Sequence, residues 1–507
     1  MAPVDPREPT AVPPALRGWR DPSPITGWYL TALLTVVGAF TRFWGLTVPQ
    51  GKQFDEVYYA TEAQEMLRYG YENNPGYGFI VHPSVGKWCI AITSYFFGND
   101  ELGWRLAPAI AGTACVFMMV RIARRMFRSN LMGAIAGSLM IMDGVSMVLS
   151  RIALLDIFLE TFVLAGFGAL VVDRDQFRAR LARFLAEGGD ARAGVPALGP
   201  RPWRLVGAVM LGLACGVKWS GLSFLVVFAL LSLAWDLGAL KSAGVRWRWN
   251  AAWRRSWFGA VGSLGFAALA TYTFTWLGWW AGENSYNRHW ADTVPAKGLA
   301  RVIPGWIRSL IDYHSDAYRF HSTLDTTHPY KATAWSWLAL GRPILFTFDQ
   351  TPDGQSGRST CGAAKCVNEI LLIGTPFMWW AFVPVLLWLL WHWATTRDWR
   401  AGAVLVAFVA GWAVYLPYPK RTSFLFYMAP LMPFLILGLT LALGTLIGAA
   451  RVPSMRLLRY QPNWGVLLAG LYLGAVIADF AWMWPVYTDV TMTYRVWQEH
   501  MWFPSWI

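Results

Sequence analysis

Residues 27–60 read GWYLTALLTVVGAFTRFWGLTVPQGKQFDEVYYA: an apolar run from Gly27 to Thr47, broken by Arg42, then a short turn, then Asp55 and Glu56 side by side. About 20 apolar residues suffice to cross the hydrocarbon core of a bilayer, so 27–47 predicts a transmembrane helix. Comparable stretches recur at about 104–126, 130–149, 152–172, 203–218, 220–238, 257–277, 371–393, 402–417, 422–448 and 463–484. That makes about eleven spans. The pair around Gly216-Val217-Lys218-Trp219-Ser220-Gly221 reads either as two spans or as one with a kink. Composition agrees: 55% of residues are hydrophobic, 14% are charged, and 32 are Trp, a residue that collects at the bilayer interface. The expected fold class is an all-α polytopic membrane protein.

Basic residues set the expected orientation. Arg7, Arg17 and Arg20 precede the first span; Arg121, Arg124, Arg125 and Arg128 separate the second and third; Arg174 to Arg204 follow the fourth. Every second connection is basic, which places those connections and the N-terminus in the cytoplasm and the tail from Pro485 outside. The net charge of +13 is then a topological signal and calls for no nucleic acid. Residues 1–26 are Pro-rich, lack the pattern of a cleaved signal and are expected to be disordered; the first span stays as an anchor. Residues 186–202 read as a cytoplasmic linker. The chain divides into an N-terminal membrane module (27–277) with a first outer loop (48–103), a second outer loop (278–370), and a four-helix membrane module with an outer tail (371–507).

Chemistry is expected in the two long outer loops, which are rich in aromatics, His and acids. Asp55 and Glu56 open a predicted helix that ends near Gly70. An acid in a first helical turn is also what the helix dipole favours. The functional reading is a carboxylate that takes a proton from a hydroxyl nucleophile. Neighbours on a helix lie about 100° apart, so one acid would act and the other orient it or bind a partner. His82-Pro83-Ser84-Val85-Gly86-Lys87 offers a turn with a lysine suited to an anion, or an interfacial turn with a snorkelling lysine. Arg151, Asp156 and Glu160 sit at the edge of hydrocarbon, where ionisable groups pair or line a cavity; an Arg151–Asp156 ion pair and a role at a phosphate weigh evenly. Lys218, in a break between apolar stretches, calls for an anion or a polar cavity. Arg421 lies on the outer side, against the charge bias. Around His328-Pro329-Tyr330 and Trp337, aromatics fit a substrate groove or the membrane surface. Cys361 and Cys366 fall together in an oxidising compartment and predict a disulfide. No spacing makes a metal site; His314, Asp316 and His321 come nearest.

In order and placement these residues resemble the protein O-mannosyltransferase family, membrane enzymes that mannosylate Ser and Thr of secreted proteins. The resemblance rests on Phe54-Asp55-Glu56, His82 to Lys87, Ser150-Arg151 with Leu154-Leu155-Asp156, Gly216 to Gly221, His328-Pro329-Tyr330 with Trp337, and Arg421 with Phe426-Tyr427. It implies a GT-C fold, a polyprenyl phosphate mannose donor whose sugar lies on the outer face, and inversion of a β-mannosyl phosphate to an α-mannoside without a metal or other cofactor. Carried onto this chain, Asp55 is the general base and Glu56 helps bind acceptor or donor. Arg151, Lys218 and Arg421, with Lys87 behind them, hold the phosphate; His82, Asp156 and Tyr427 complete the donor site; His328 and Trp337 line an acceptor groove. The secretion translocon is a candidate partner. Ser84 stands where many members have a second proline. The second outer loop is too short for the β-trefoil domain of eukaryotic members, which points to the bacterial branch of actinobacterial type. Two other readings stay open: a different GT-C transferase of lipid-linked sugars, and a transporter or flippase with Asp143, Asp156 and Lys218 along its path.

Overall fold

The computed structural model describes residues 12–16, 21, 23–73, 81–191, 195, 198–245, 257–352, 360–448 and 464–507. Each apolar stretch folds as helix: α1 (Pro24–Phe43), α4 (Glu101–Phe127), α5 (Asn130–Ile141), α6 (Gly144–Leu149), α7 (Asp156–Ala186), α8 (Pro202–Val217), α9 (Gly221–Ser242), α10 (Phe258–Phe274), α12 (Pro376–Thr396), α13 (Trp399–Trp412), α14 (Leu425–Ile447) and α15 (Trp464–Thr488). Between them the loop 48–103 forms α2 (Glu56–Tyr69) and α3 (Val85–Phe97), and the loop 278–370 contains α11 (Gly305–Thr323). Among the described residues six helices are long and apolar enough to cross a membrane: α1, α4, α9, α12, α14 and α15.

Polar breaks in the apolar runs end helices where the sequence allows. The run 130–149 splits at Asp143, whose carboxylate accepts from the Ser146 N–H and caps α6. The run 203–238 is two helices, because Lys218 adopts an extended backbone (φ −148°, ψ 144°) between α8 and α9. Gly70, left-handed at φ 81°, stops α2 one residue after Tyr69. α4 and α14 sit at the centre, whereas α1, α12 and α15 turn most of their apolar surface outward. Helices close on one another at small residues: a Cβ on Gly38 would meet Val116 at 3.0 Å, and one on Gly166 would meet Leu211 at 2.8 Å. Membrane helices pack closely at such positions.

One expectation is corrected. The protein is not all-α: β1 (Ile344–Thr351), β2 (Cys366–Leu372) and β3 (Met492–Thr493) form an antiparallel sheet in the order β1-β2-β3. It joins the loop 278–370 to the segment after α15, which continues into α16 (Tyr494–His500). Cys361 and Cys366 are disulfide-bonded, as expected, at the start of β2. Near the N-terminus Pro14–Leu16 forms a turn whose Leu16 packs on Leu181, Leu185 and Ala239, so this part of the segment expected to be disordered is ordered; the expectation for residues 1–11 lies outside the described residues.

Candidate active site

The turn into α2 builds the site. Phe54 adopts a left-handed backbone (φ 48°), which costs about 1–3 kcal/mol for a residue with a side chain. That turn sends its ring against Phe346 (5.1 Å between centroids), His328 (6.0 Å) and Phe424 (6.1 Å). Asp55 follows at the N-cap. Its carbonyl accepts from the N–H of Tyr58 and Tyr59, but its carboxylate does not cap the helix. Among the described residues that carboxylate accepts no hydrogen bond. Burial pushes it up to about 6, with Lys218 pulling down and Asp156 and Glu62 pushing up.

Glu56 points the other way. Arg105 Nε and Nη2 donate to its two oxygens at 2.9 Å each; the N–H groups of Ala153 and Gln53 donate at 2.8 Å each. Neither side chain is exposed at all. Arg105 also donates to the carbonyls of Pro49 (2.7 Å) and Gly51 (2.9 Å). The pair ties the loop 48–103 to α4 and to the α6–α7 connection. Each Glu56 oxygen thus accepts two hydrogen bonds from within the chain, which places Glu56 in the packing around Asp55.

On the far side of Asp55, the break between α8 and α9 delivers Lys218. Its Nζ meets Asp156 Oδ2 at 2.7 Å and lies 5.5 Å from the ring centroids of both Phe426 and Tyr427. Arg421 donates from Nε to the His321 carbonyl (2.8 Å) and from Nη1 to the Tyr427 hydroxyl (3.3 Å), leaving Nη2 a contact of 3.5 Å to His321 Nδ1. His82 stacks on His321 at 5.2 Å. Burial pushes His82 well below its ordinary value and His321 down to about 4, so both rings are neutral beside these cations. The structure therefore gathers Asp55, Asp156, Lys218, Arg421, Tyr427 and His82.

Other expected residues lie elsewhere. Arg151 is no partner of Asp156, which corrects the expected ion pair: it donates to the carbonyls of Thr41, Arg42, Trp44 and Gly45 and secures the end of α1. Lys87, in α3 rather than at an interfacial turn, is buried between Glu62 (3.0 Å) and Glu72 (2.9 Å), which answer its charge. Trp337 is 1% exposed and packs against Tyr415 (5.2 Å) and Tyr427 (6.1 Å); it backs the site and lines no groove. His328 is half-buried and packs edge-on against Phe54 (6.0 Å) and Phe424 (5.0 Å). His314, Asp316 and His321 have separate partners: His314 the Tyr272 hydroxyl, Asp316 Tyr286 and Asn287, His321 the Val81 carbonyl. Sequence reading passed over Arg105 and Glu62. The available signal for Arg105 was a cation at the edge of an apolar span.

The family profile "Dolichyl-phosphate-mannose-protein mannosyltransferase" matches residues 32–254, and that of the "C-terminal four TMM region of protein-O-mannosyltransferase" matches 306–506. The chain is 41% identical to a polyprenol-phosphate-mannose–protein mannosyltransferase of Mycolicibacterium smegmatis, over 95% of this chain and 93% of that one. It is 39% identical to the protein of that name from Mycobacterium tuberculosis, over 95% and 92%. In fold it resembles the S. cerevisiae protein O-mannosyltransferase Pmt1-Pmt2 complex bound to the sugar donor, with a TM-score of 0.73 at 14% identity over 95% of this chain and 93% of that one. Profile matches in both halves and near full-length similarity to the mycobacterial proteins agree: this chain belongs to the protein O-mannosyltransferase family.

Proposed function

We propose that this chain transfers mannose from polyprenyl phosphate mannose to Ser and Thr hydroxyls of secreted polypeptides at the outer face of the membrane. The observation that carries the mechanism is Asp55: a carboxylate without a hydrogen bond, held in a partly buried outer-loop site that Lys218 and Arg421 border. A hydroxyl is a weak nucleophile until its proton is removed, and a base whose pKa is about 6 is ionised at neutral pH yet basic enough to accept that proton. The acceptor oxygen attacks C1 of the mannose while Asp55 takes the proton. The bond from C1 to the phosphate oxygen breaks, and polyprenyl phosphate leaves with one more negative charge. Attack from the face opposite the phosphate inverts a β-linkage to an α-mannoside.

Lys218 and Arg421 answer the charge that grows on the phosphate, which is where preorganised cations lower a barrier. Asp156 fixes Lys218, and Tyr427 lies against both cations. These two cations supply the positive charge, so the reaction needs no metal, and a chelator leaves the rate unchanged. The site lies on the outer side if eleven helical segments cross the membrane with the N-terminus inside, an orientation the basic connections support. The acceptor would then arrive unfolded from the secretion translocon.

The test is mannose transfer from polyprenyl phosphate mannose to a Ser/Thr peptide, in membranes holding wild-type protein or Asp55→Asn. Removing a general base lowers the rate by about 10²–10⁴-fold. Equal transfer by the two proteins would take Asp55 out of the chemistry. No transfer by folded wild-type protein would sink the mannosyltransferase reading.

A further inference from the structure

α2 carries Asp55, Tyr59 and Glu62 on one face, since residues one and two turns apart lie above one another on a helix. Tyr58 is 47% exposed, whereas its neighbour Tyr59 is 8% exposed. The Tyr59 ring lies 6.3 Å from that of His82. Its hydroxyl has no hydrogen-bond partner among the described residues. Burial, and after it the charges of Asp55, Asp156 and Glu62, push that hydroxyl well above its ordinary value, so it stays protonated. His82 is a similar case: its ring is neutral, and neither ring nitrogen has a hydrogen-bond partner among the described residues. With the Asp55 carboxylate, three polar side chains without partners gather beside Lys218 and Arg421. A buried polar group left without a partner costs free energy until a ligand supplies one.

We propose that the Tyr59 hydroxyl binds a hydroxyl of the donor's mannose and sets which sugar the protein transfers. This rests on the mannosyltransferase reading of the site. Three carboxylates around Tyr59 repel an anion, so its hydroxyl is no seat for the phosphate; a group that both donates and accepts suits the hydroxyls of a neutral sugar. In the proposed reaction Asp55 works beside C1. Tyr59 stands one helical turn further on, about 6 Å along the axis, and meets the sugar away from C1. A site built to hydrogen-bond a substrate hydroxyl rejects sugars that lack it, because the buried partner is then left bare.

The test pairs Tyr59→Phe with the monodeoxy forms of polyprenyl phosphate mannose, each lacking one sugar hydroxyl. Phenylalanine keeps the ring and its packing. The contact predicts that one deoxy donor lowers kcat/KM of the wild type about tenfold, and that Tyr59→Phe lowers it about tenfold with mannose itself. For that donor the two losses do not add; for the other deoxy donors they do. Transfer of mannose by Tyr59→Phe at the wild-type rate, or losses that add for every donor, would overturn the proposal. Donor binding without acceptor, followed by tryptophan fluorescence, carries the same comparison through Kd and needs no transfer. Non-additive losses in Kd with no transfer to peptide would sink the mannosyltransferase reading and keep the sugar contact. Transfer with additive losses in both measurements would sink the contact alone.

Discussion

Glu56→Gln separates a positioning carboxylate from one that takes part in chemistry. Glu56 accepts four hydrogen bonds, two per oxygen: Arg105 Nε and the Ala153 N–H on Oε1, Arg105 Nη2 and the Gln53 N–H on Oε2. A glutamine keeps one accepting oxygen. Whichever way the amide turns, its NH2 faces two donors, so two of the four bonds are lost. Each is a bond to a charged group, worth about 1.5–3 kcal/mol. Arg105, wholly buried, is also left with its charge uncompensated. Breaking a buried ion pair from one side costs about 3–5 kcal/mol, and the lost bonds fall in the same range because they are the same interaction counted another way. The assay is thermal unfolding of the purified protein followed by tryptophan fluorescence, with mannose transfer measured well below the transition. Glu56→Gln should lower Tm and reduce transfer together. Combining it with Arg105→Met should cost less than the sum of the two single changes, because the partners are in contact. An unchanged Tm with transfer abolished would refute the reasoning and return Glu56 to the chemistry.

Other outcomes follow from the same geometry. If Asp55 is the base, kcat/KM falls about tenfold per pH unit below pH 6 and levels off above it, since the group works only when ionised. Lys218 holds the pKa of Asp55 down, so Lys218→Met should move that limb to higher pH; an unmoved limb would separate the two groups. Glu369, on buried β2, is pushed from an ordinary 4.5 up to about 8 by burial, with the Trp497 N–H opposing. Between these values the folded chain holds a proton that the unfolded chain has lost, so this group's contribution to stability declines as pH rises from about 4.5 to 8. In Glu369→Gln that decline should flatten in pH-dependent unfolding. Replacing Cys361 and Cys366 by serine opens a small loop and should cost about 2 kcal/mol, seen as a lower Tm and faster proteolysis near β2.

The helices were legible because the bilayer makes a local demand. A backbone in hydrocarbon must satisfy its own hydrogen bonds, so an apolar run long enough to span becomes a helix whatever surrounds it. Each apolar stretch read from the sequence is mostly helical in the structure, although 371–393 begins in β2, and α2 ends at Gly70, near where it was expected to end. The residues that meet around Asp55 were named from their order in the chain, and a predicted helix starting beside Asp55 and Glu56 was enough to send the two acids in different directions.

Strands β1 and β2 were not legible. They lie in a loop whose aromatics fit a membrane surface or a groove equally well; β1 and β2 pair with each other, and β2 also pairs with β3 near the end of the chain. Tertiary structure alone decided which charges answer one another. Arg151 stands five residues before Asp156 yet reaches back to the end of α1, while Asp156 takes Lys218 and Glu56 takes Arg105. The sequence by itself determined the apolar helical segments and the family, because partition into a bilayer and the order of motifs are properties of segments. It could not decide which residues touch substrate and which hold them in place. A buried charge pairs with whatever opposite charge the packed helices bring within about 3 Å, and that proximity exists only after the helices have packed.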